Sequence, residues 1–253
     1  MLELNLGFRF AAFLFFTSTC FISLPSAQSR CTRGCSLALG SYYVEQGNEL
    51  GSISQHFDTS VNDIVRYNRD TIPNQDSIPS FVRIRVPFSC DCINGEFLGH
   101  VFSYELRSQD TYITIAQTKY ANLTTADWIR RFNTYDANRL PDSGTINVTV
   151  NCSCGDSSVS KDYGLFLTYP LRAGETLDTV ASAANLSSDL IRSYNRDANF
   201  TPGSGLLYIP GRDENGNYPP LTSRIIRRGH RWNSCRNSSC GAVTCRMLLF
   251  WIL

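Results

Sequence analysis

The chain has 253 residues, 42% of them hydrophobic, which is enough apolar material for one or more compact domains. Residues 222–253 hold six arginines and no acidic residue and residues 1–27 are neutral, so the full-chain charge of +1 leaves residues 28–221 at about −5. A mildly acidic body argues against nucleic acid as a partner and suits a neutral ligand.

The first predicted element is an apolar, Phe-rich stretch at residues 8–22, followed by the small residues Ser26, Ala27 and Ser29. This pattern is typical of a secretory signal peptide, and we expect residues 1–27 to be removed. A retained membrane anchor is the alternative, but the stretch is short for a span. We therefore predict a secreted, extracellular chain.

A sequence repeat organises the residues that follow. The segment Tyr67-Asn68-Arg69-Asp70 recurs as Tyr194-Asn195-Arg196-Asp197, and Gly47 and Gly174 each precede the repeated Asn by 21 residues. A weaker copy lies between these two and ends at Asn133. A pattern held in register over this distance predicts a repeated structural unit.

Each copy predicts the same succession of a strand, a turn, two short amphipathic helices and a closing strand. The opening strands are predicted at residues 42–44, 102–106 and 167–169, and the closing strands at residues 82–86, 146–150 and 206–209. The predicted caps of the first helices are Asn48, Asp110 or Thr111, and Glu175 or Thr176. The second helices are predicted to begin after Ser60, after Thr124 and near Ser187.

The repeat predicts an α+β fold of three small β-α-α-β modules packed together. Modules of about 45 to 50 residues lie near the lower limit for independent folding and usually need covalent staples. The predicted divisions are a signal peptide (1–27), a Cys-bearing N-terminal segment (28–40), module one (41–89), a Cys-x-Cys linker (90–100), module two (101–151), a second Cys-x-Cys linker (152–163), module three (164–212) and a divergent, disordered tail (213–253).

Six cysteines lie in the module region: Cys31, Cys35, Cys90, Cys92, Cys152 and Cys154. An even set in an exported chain predicts a disulfide framework, whereas a zinc site built from the two Cys-x-Cys pairs is disfavoured by the oxidising compartment. The two members of a Cys-x-Cys pair do not easily bond each other, so each pair should join two other segments. Sequence alone leaves about 15 connectivities open for six cysteines.

Six Asn-x-Ser/Thr sequons fit an extracellular glycoprotein. Predicted glycosylation sites are Asn122, Asn147, Asn151, Asn185 and Asn199, and a further sequon begins at Asn237. The repeat pattern stops after Leu221. In the tail, Cys235, Cys240 and Cys245 with His230 suggest a metal knuckle, but an odd trio in an abrupt tail favours an unstructured segment and no metal site. Residues 247–253 are too few to cross a bilayer.

The repeated motifs resemble the LysM module: a Gly-x-x-Leu after a Tyr-x-Val strand, an Asn that closes the second helix, and Tyr208-Ile209-Pro210 at the end. Three such modules separated by Cys-x-Cys pairs resemble the extracellular region of plant LysM receptor-like kinases. Residues 95–102, 151–155 and 161–166 look closest to the branch of chitin elicitor receptor kinases and Nod-factor receptor kinases. The resemblance covers roughly residues 31–221.

This resemblance implies N-acetylglucosamine oligomers as ligands, bound by two loops of the second module. The implied binding residues are Gln109, Asp110, Thr111, Tyr112, Ala137, Asn138, Arg139 and Leu140. Tyr112 and Leu140 would cover the acetyl methyl group, although Tyr112 alternatively fills the core position of Leu50 and Leu177. The family pattern also implies the pairs Cys31–Cys92, Cys35–Cys154 and Cys90–Cys152.

The resemblance further implies a role in plant immunity or symbiosis, with a LysM receptor kinase as co-receptor. The motifs of a protein kinase are absent from this sequence, and we expect a soluble, truncated ectodomain with no catalytic residues and no cofactor. Three alternatives stay open: a Nod-factor receptor ectodomain, a cell-wall hydrolase, and a structural protein-binding assembly. The hydrolase is disfavoured because the modules leave no spare domain for catalysis.

Overall fold

A computed structural model describes residues 31–136, 139–200 and 205–221. The predicted signal peptide and residues 222–253 of the predicted tail lie outside these residues. Residues 213–221, predicted to be disordered, instead pack against module three, where the Gly164 amide donates to the Pro219 carbonyl at 2.7 Å and the Tyr218 hydroxyl donates to the Ala184 carbonyl at 2.8 Å. The strands are β1 (Cys35–Tyr43), β2 (Arg83–Ile93), β3 (Phe97–Glu105), β4 (Thr145–Asn151), β5 (Phe166–Pro170) and β6 (Leu206–Pro210). The helices are α1 (Leu50–His56), α2 (Val61–Tyr67), α3 (Tyr112–Thr114), α4 (Ala126–Arg131), α5 (Leu177–Ala184) and α6 (Ser188–Tyr194), and α3 continues into a π-helical turn (Ile115–Lys119).

The six strands form one sheet in the order β4-β3-β2-β1-β5-β6. Each module contributes an antiparallel pair, β1–β2, β3–β4 or β5–β6, which confirms the predicted α+β class with three β-α-α-β units. Module one lies in the centre: β2 pairs antiparallel with β3, and β1 pairs parallel with β5 through Leu39–Leu167 and Gly40–Thr168. Residues 90–100, predicted as a linker, therefore form a β-hairpin between modules one and two.

Several element boundaries differ from the prediction. β1 begins at Cys35 rather than near Tyr42, because its early residues pair with the end of β2. Helix α4 is capped by Thr125, whose hydroxyl accepts a hydrogen bond from the Trp128 amide at 3.1 Å, so the predicted start after Thr124 is one residue early. Helices α2 and α6 begin after Ser60 and Ser187 as predicted.

A repeated turn follows the first strand of every module. Asn48, Asp110 and Glu175 each accept a hydrogen bond from the backbone amide three residues earlier, at 2.7 to 2.8 Å. In each turn the same side chain also accepts from the hydroxyl of the tyrosine six residues earlier, in the pairs Tyr42–Asn48, Tyr104–Asp110 and Tyr169–Glu175. These side chains close turns instead of capping helices, and Thr111 and Thr176 cap α3 and α5.

A second repeated feature joins the second helix of each module to its closing strand. Asn68, Asn133 and Asn195 each donate two hydrogen bonds through the side-chain amide, one to the carbonyl four residues earlier and one to a carbonyl of the strand. The side-chain oxygen accepts from the amide of that same strand residue, at 2.7 to 2.9 Å. The asparagine repeat seen in the sequence is therefore a three-bond clamp, and it is buried in modules one and three.

Three disulfides, Cys31–Cys92, Cys35–Cys154 and Cys90–Cys152, join the modules with Cα separations of 5.7 to 5.9 Å. These are the same pairs that the resemblance implies. The sulfur atoms of Cys35, Cys90 and Cys154 lie within 4.8 Å of one another, because their bridges meet at the first residue of β1. Since each sulfur is covalently bonded to another, this cluster is a set of cross-links and offers no thiolate ligand.

The hydrophobic core is divided unequally among the modules. Modules one and two share a single core cluster, in which Phe57 packs against Phe102 and Tyr120 with ring centroids 5.1 Å apart in each case. Module three has a smaller cluster of its own around Leu177, Val180 and Ile191. Modules one and two therefore form one packing unit, onto which module three is docked.

Charged side chains complete the docking of module three. Arg83 of β2 forms an ion pair with Glu175 at 2.9 Å, donates to the Pro170 carbonyl at 2.8 Å, and lies over the Tyr169 ring at 3.9 Å. Arg172 lies over the Tyr43 ring at 3.3 Å. Because these contacts are partly buried and combine ionic with aromatic partners, they orient module three more firmly than an exposed ion pair would.

A half-buried histidine at the boundary of modules one and two predicts acid sensitivity. Burial lowers the pKa of His56 from 6.5 to about 4. The positive charges of Lys119 and Arg107 add to this effect, and the negative charge of Asp110 offsets a part of it. The folded state therefore favours the neutral ring, and stability should fall as the pH drops from about 6.5 towards 4. In thermal scans, we expect the melting temperature of His56→Gln to fall less than that of the wild type between pH 7 and pH 4.5. An equal loss in both proteins would contradict this assignment.

Candidate functional site

The predicted loops of module two face each other and enclose a cavity of about 310 Å³. The cavity is lined by residues 108–111 on one side and 139–142 on the other. Ser108 Oγ donates a hydrogen bond to Asp142 Oδ1 at 3.1 Å and so bridges the two loops. We call this cavity, together with its two loops, the module-two groove.

Five of the eight predicted binding residues line the module-two groove: Gln109, Asp110, Thr111, Arg139 and Leu140. Ala137 and Asn138 lie outside the described residues. Sequence reasoning missed three further lining residues, Ser108, Pro141 and Asp142. These three residues are adjacent in sequence to the predicted loops, and this position is the signal that could have identified them.

The structure decides between the two predicted roles of the Tyr112 side chain. The residue is only 3% exposed and packs in the core, at the position that Leu50 and Leu177 occupy in the other modules. Its hydroxyl donates to the Tyr135 carbonyl at 3.4 Å. The Tyr112 ring therefore supports the loop from below and does not line the groove.

Two other predicted residues are committed to local structure. The Asp110 carboxylate accepts from the Arg107 amide and the Tyr104 hydroxyl, at 2.8 and 3.0 Å. The Thr111 hydroxyl accepts from the Thr114 amide at 3.0 Å and so caps α3. These side chains shape the loop, which leaves the exposed side chains of Gln109 and Arg139 and the loop backbone to contact a ligand.

The groove carries little net charge. Two carboxylates, Asp110 and Asp142, stand near one guanidinium, Arg139, and the half-buried Leu140 supplies apolar surface. A site of this composition orients a neutral ligand through a few polar groups and covers its apolar parts. The composition does not suit a phosphate or another polyanion, which would require a cluster of cationic side chains.

The turns equivalent to the groove loop make intermodule contacts in the other two modules. In module one, the turn at Gly47, Asn48 and Glu49 shares a small cavity with Thr118 and Lys119 of module two. In module three, Glu175 of the turn is paired with Arg83 of module one. By contrast, only module-two residues line the groove, although Arg107 at the start of the same turn also lines the cavity shared with module one.

The predicted glycosylation sites differ in accessibility. Asn122, Asn147, Asn185 and Asn199 are exposed. Asn151 is half-buried, and its side-chain oxygen is buried without a hydrogen-bond partner in the described part of the chain. The folded surface therefore favours the first four as carriers of glycan, although Thr201 of the Asn199 sequon lies outside the described residues, as does Asn237.

Among the described helices, none has the length and apolar character required to cross a membrane.

Comparison with protein-family models matches residues 42–87 and residues 167–210 to the LysM domain. These spans correspond to modules one and three. Module two has the same strand order, turn and asparagine clamp but differs in its first helix, which is a single turn followed by a π-helical turn. This irregular helix lies in the weaker sequence copy.

The chain is 46% identical over 227 residues to LysM domain receptor-like kinase 3 of Medicago truncatula, covering 87% of this chain and 36% of that protein. It is also 46% identical over 206 residues to Chitin elicitor receptor kinase 1 of Arabidopsis thaliana, covering 78% of this chain and 33% of that protein. The chain thus spans about a third of the length of these two curated relatives.

Two solved structures match over nearly their whole length. The LYK3 ectodomain is 48% identical with a TM-score of 0.73, covering 78% of this chain and 99% of that structure. The ectodomain of a receptor like kinase is 46% identical with a TM-score of 0.72, covering 76% and 100%.

Proposed function

The chain belongs to the family of LysM receptor-like kinase ectodomains, and we propose that it recognises N-acetylglucosamine oligomers of the kind derived from chitin. Recognition takes place outside the cell, in plant immunity or symbiosis, and the module-two groove is the binding site. The observation that carries this proposal is that residues of module two alone line this groove, whereas the equivalent turns of modules one and three pair with residues of another module. The similarity to a chitin elicitor receptor kinase supports the ligand class.

The chemistry of the groove suits an N-acetylated sugar. The Gln109 carboxamide both donates and accepts hydrogen bonds, as the acetamido group of the sugar requires, and Arg139 can donate to ring hydroxyls. Leu140 offers apolar surface for the acetyl methyl group. The cavity of about 310 Å³ lies at the small end of the usual range for ligand sites, so the groove would hold one or two sugar units of a longer chain.

A second candidate ligand is a lipid-bearing chitin oligomer of the Nod-factor type. Ile113, two residues after the loop at 108–111, is 57% exposed, and Tyr135, four residues before Arg139, is 39% exposed. Exposed apolar side chains beside a polar groove would offer a place for an acyl chain. Long oligomers that reach a second LysM receptor would bring in the co-receptor by linking two binding sites.

Calorimetry on the secreted full-length chain tests the proposal. We expect binding of chitin oligomers to tighten with oligomer length. The double variant Gln109→Ala/Arg139→Ala should weaken this binding at least about tenfold, which corresponds to about 1.4 kcal/mol. Both side chains are exposed, so the melting temperature of the variant should stay close to that of the wild type.

The matched control is Gln46→Ala, an exposed change in the equivalent turn of module one, which should leave binding unaltered. Binding of a lipid-bearing oligomer without binding of plain chitin oligomers would establish the second candidate. Failure to bind either ligand would reject the groove as a sugar site and favour a protein-binding role.

A further inference from the structure

A cleft between modules two and three stands apart from the module-two groove. It consists of two adjoining cavities of about 400 and about 190 Å³, which share Thr124, Thr125 and Leu206 as lining residues. Module two contributes the segment before α4 and part of α4, and module three contributes residues 170–173 and the start of β6. We call this the intermodule cleft.

Three buried polar atoms of the intermodule cleft have no hydrogen-bond partner among the described residues: Thr124 Oγ1, Trp128 Nε1 and Asn151 Oδ1. All three residues line the smaller cavity, and Thr124 is only 3% exposed. Folded proteins pair nearly all their buried polar groups, so three unpaired groups around one cavity indicate a missing partner. A cavity of about 190 Å³ has room for more than a single water molecule.

The unpaired atoms define the chemistry of that partner. The indole nitrogen of Trp128 only donates, the Asn151 oxygen only accepts, and the Thr124 hydroxyl does both. The rest of the smaller cavity is Leu123, Thr125 and Leu206, and no charged side chain lines it. A neutral molecule with an amide and hydroxyl groups matches this set, because the amide supplies one acceptor and one donor.

The chain itself has an attachment site for one such molecule beside the cleft. Asn122 lines the larger cavity, is exposed, and begins the sequon Asn122-Leu123-Thr124. The sugar that would be attached to this asparagine is an N-acetylhexosamine, which carries an acetamido group and several hydroxyls. We infer that the intermodule cleft is a second sugar site, which binds one N-acetylhexosamine unit supplied either by the glycan on Asn122 or by a soluble oligomer.

A sugar bound in the cleft would stabilise the folded arrangement of modules two and three. Modules two and three have separate hydrophobic cores, and a sugar held between α4 and β6 touches both. Binding to the folded state alone raises the melting temperature. The inference does not depend on the module-two groove, because the two sites share no lining residue.

The first arm of the test compares glycoforms of the secreted full-length chain. If the Asn122 glycan fills the cleft, Asn122→Gln should lower the melting temperature of the glycosylated protein by about 3 °C or more relative to the wild type. Because Asn122 has φ +63°, where glutamine is strained, the same pair made without N-glycans measures the backbone contribution, which is subtracted. The control Asn147→Gln, which removes an exposed sequon on β4, should change it by less than about 1 °C. Trimming folded wild-type protein to a single sugar per site should keep the full melting temperature. This comparison does not require any variant to fold.

The second arm adds soluble N-acetylglucosamine dimer to Asn122→Gln carrying Gln109→Ala/Arg139→Ala, so that the groove cannot contribute. If this variant binds the dimer and the further change Trp128→Phe weakens the binding about tenfold or more, the cleft is a site for soluble sugar. Trp128→Phe keeps an aromatic ring but removes the indole donor. If Asn122→Gln no longer lowers the melting temperature when Trp128→Phe is also present, this result supports the glycan on Asn122 as the sugar in the cleft. No glycan effect and no sugar binding would overturn the inference and leave the cleft to water.

Discussion

Replacing Asn68 by aspartate is expected to lower the free energy of unfolding by about 3 kcal/mol or more at pH 7. Asn68 is 0% exposed, and its amide donates to the carbonyls of Ile64 and Arg85, both at 2.7 Å. A carboxylate would place a charged acceptor against these two carbonyl oxygens, which would then have no donor. The bond accepted from the Arg85 amide would survive, so the variant isolates the two donated bonds.

This loss should depend on pH in a defined direction. Burial and the facing carbonyls favour the protonated form of the new carboxyl group, so its folded-state pKa is raised. The penalty is then smallest at low pH, where the group is neutral in both states, and grows as the pH rises. Urea unfolding at pH 4 and pH 7 measures the difference. The control Asn62→Asp makes the same change at an exposed position of α2 and should cost less than about 0.5 kcal/mol. Equal losses in the two variants would show that the clamp contributes little.

Removal of the Cys90–Cys152 bridge, as Cys90→Ala/Cys152→Ala, is expected to cost about 3 kcal/mol. The sequence separation of 62 residues would by itself predict more. However, the three disulfides and residues 31–35, 90–92 and 152–154 form one closed covalent ring. When one bridge is absent, the other two still connect its ends through about eleven residues, so the entropy released in the unfolded chain is that of a short loop.

The ring makes a second, sharper prediction. Each of the three single-bridge removals should cost about the same, although the Cys35–Cys154 separation is 119 residues and the other two are 61 and 62. Removing a second bridge should cost more, about 4 kcal/mol, because it releases a loop of more than 60 residues. Chemical unfolding of the three single and three double removals measures these costs. A single-removal cost that follows sequence separation would contradict the ring.

Much of the fold could be predicted from local sequence. Hydrophobic spacing and capping residues such as Ser60 and Ser187 located the second helices, and the repeated Asn located their ends, because these signals act within a few residues. The same reasoning failed at Asn48, which closes a turn, and at Thr124, which is buried in the intermodule cleft. Neither outcome is visible from the residue type, since both side chains are also good caps.

The family resemblance pointed to the loops of module two that form the groove, and the sequence by itself determined the three modules and their order of elements. It did so because strand alternation, helix periodicity and turn residues are local properties. Only the tertiary structure decided that Tyr112 belongs to the core, that modules one and two share one core, and that module three docks through β1 and β5. It also decided that the module-two turn lines a groove of its own and which polar groups meet in the cleft. These outcomes depend on contacts between residues far apart in the chain, for which a local pattern carries no signal.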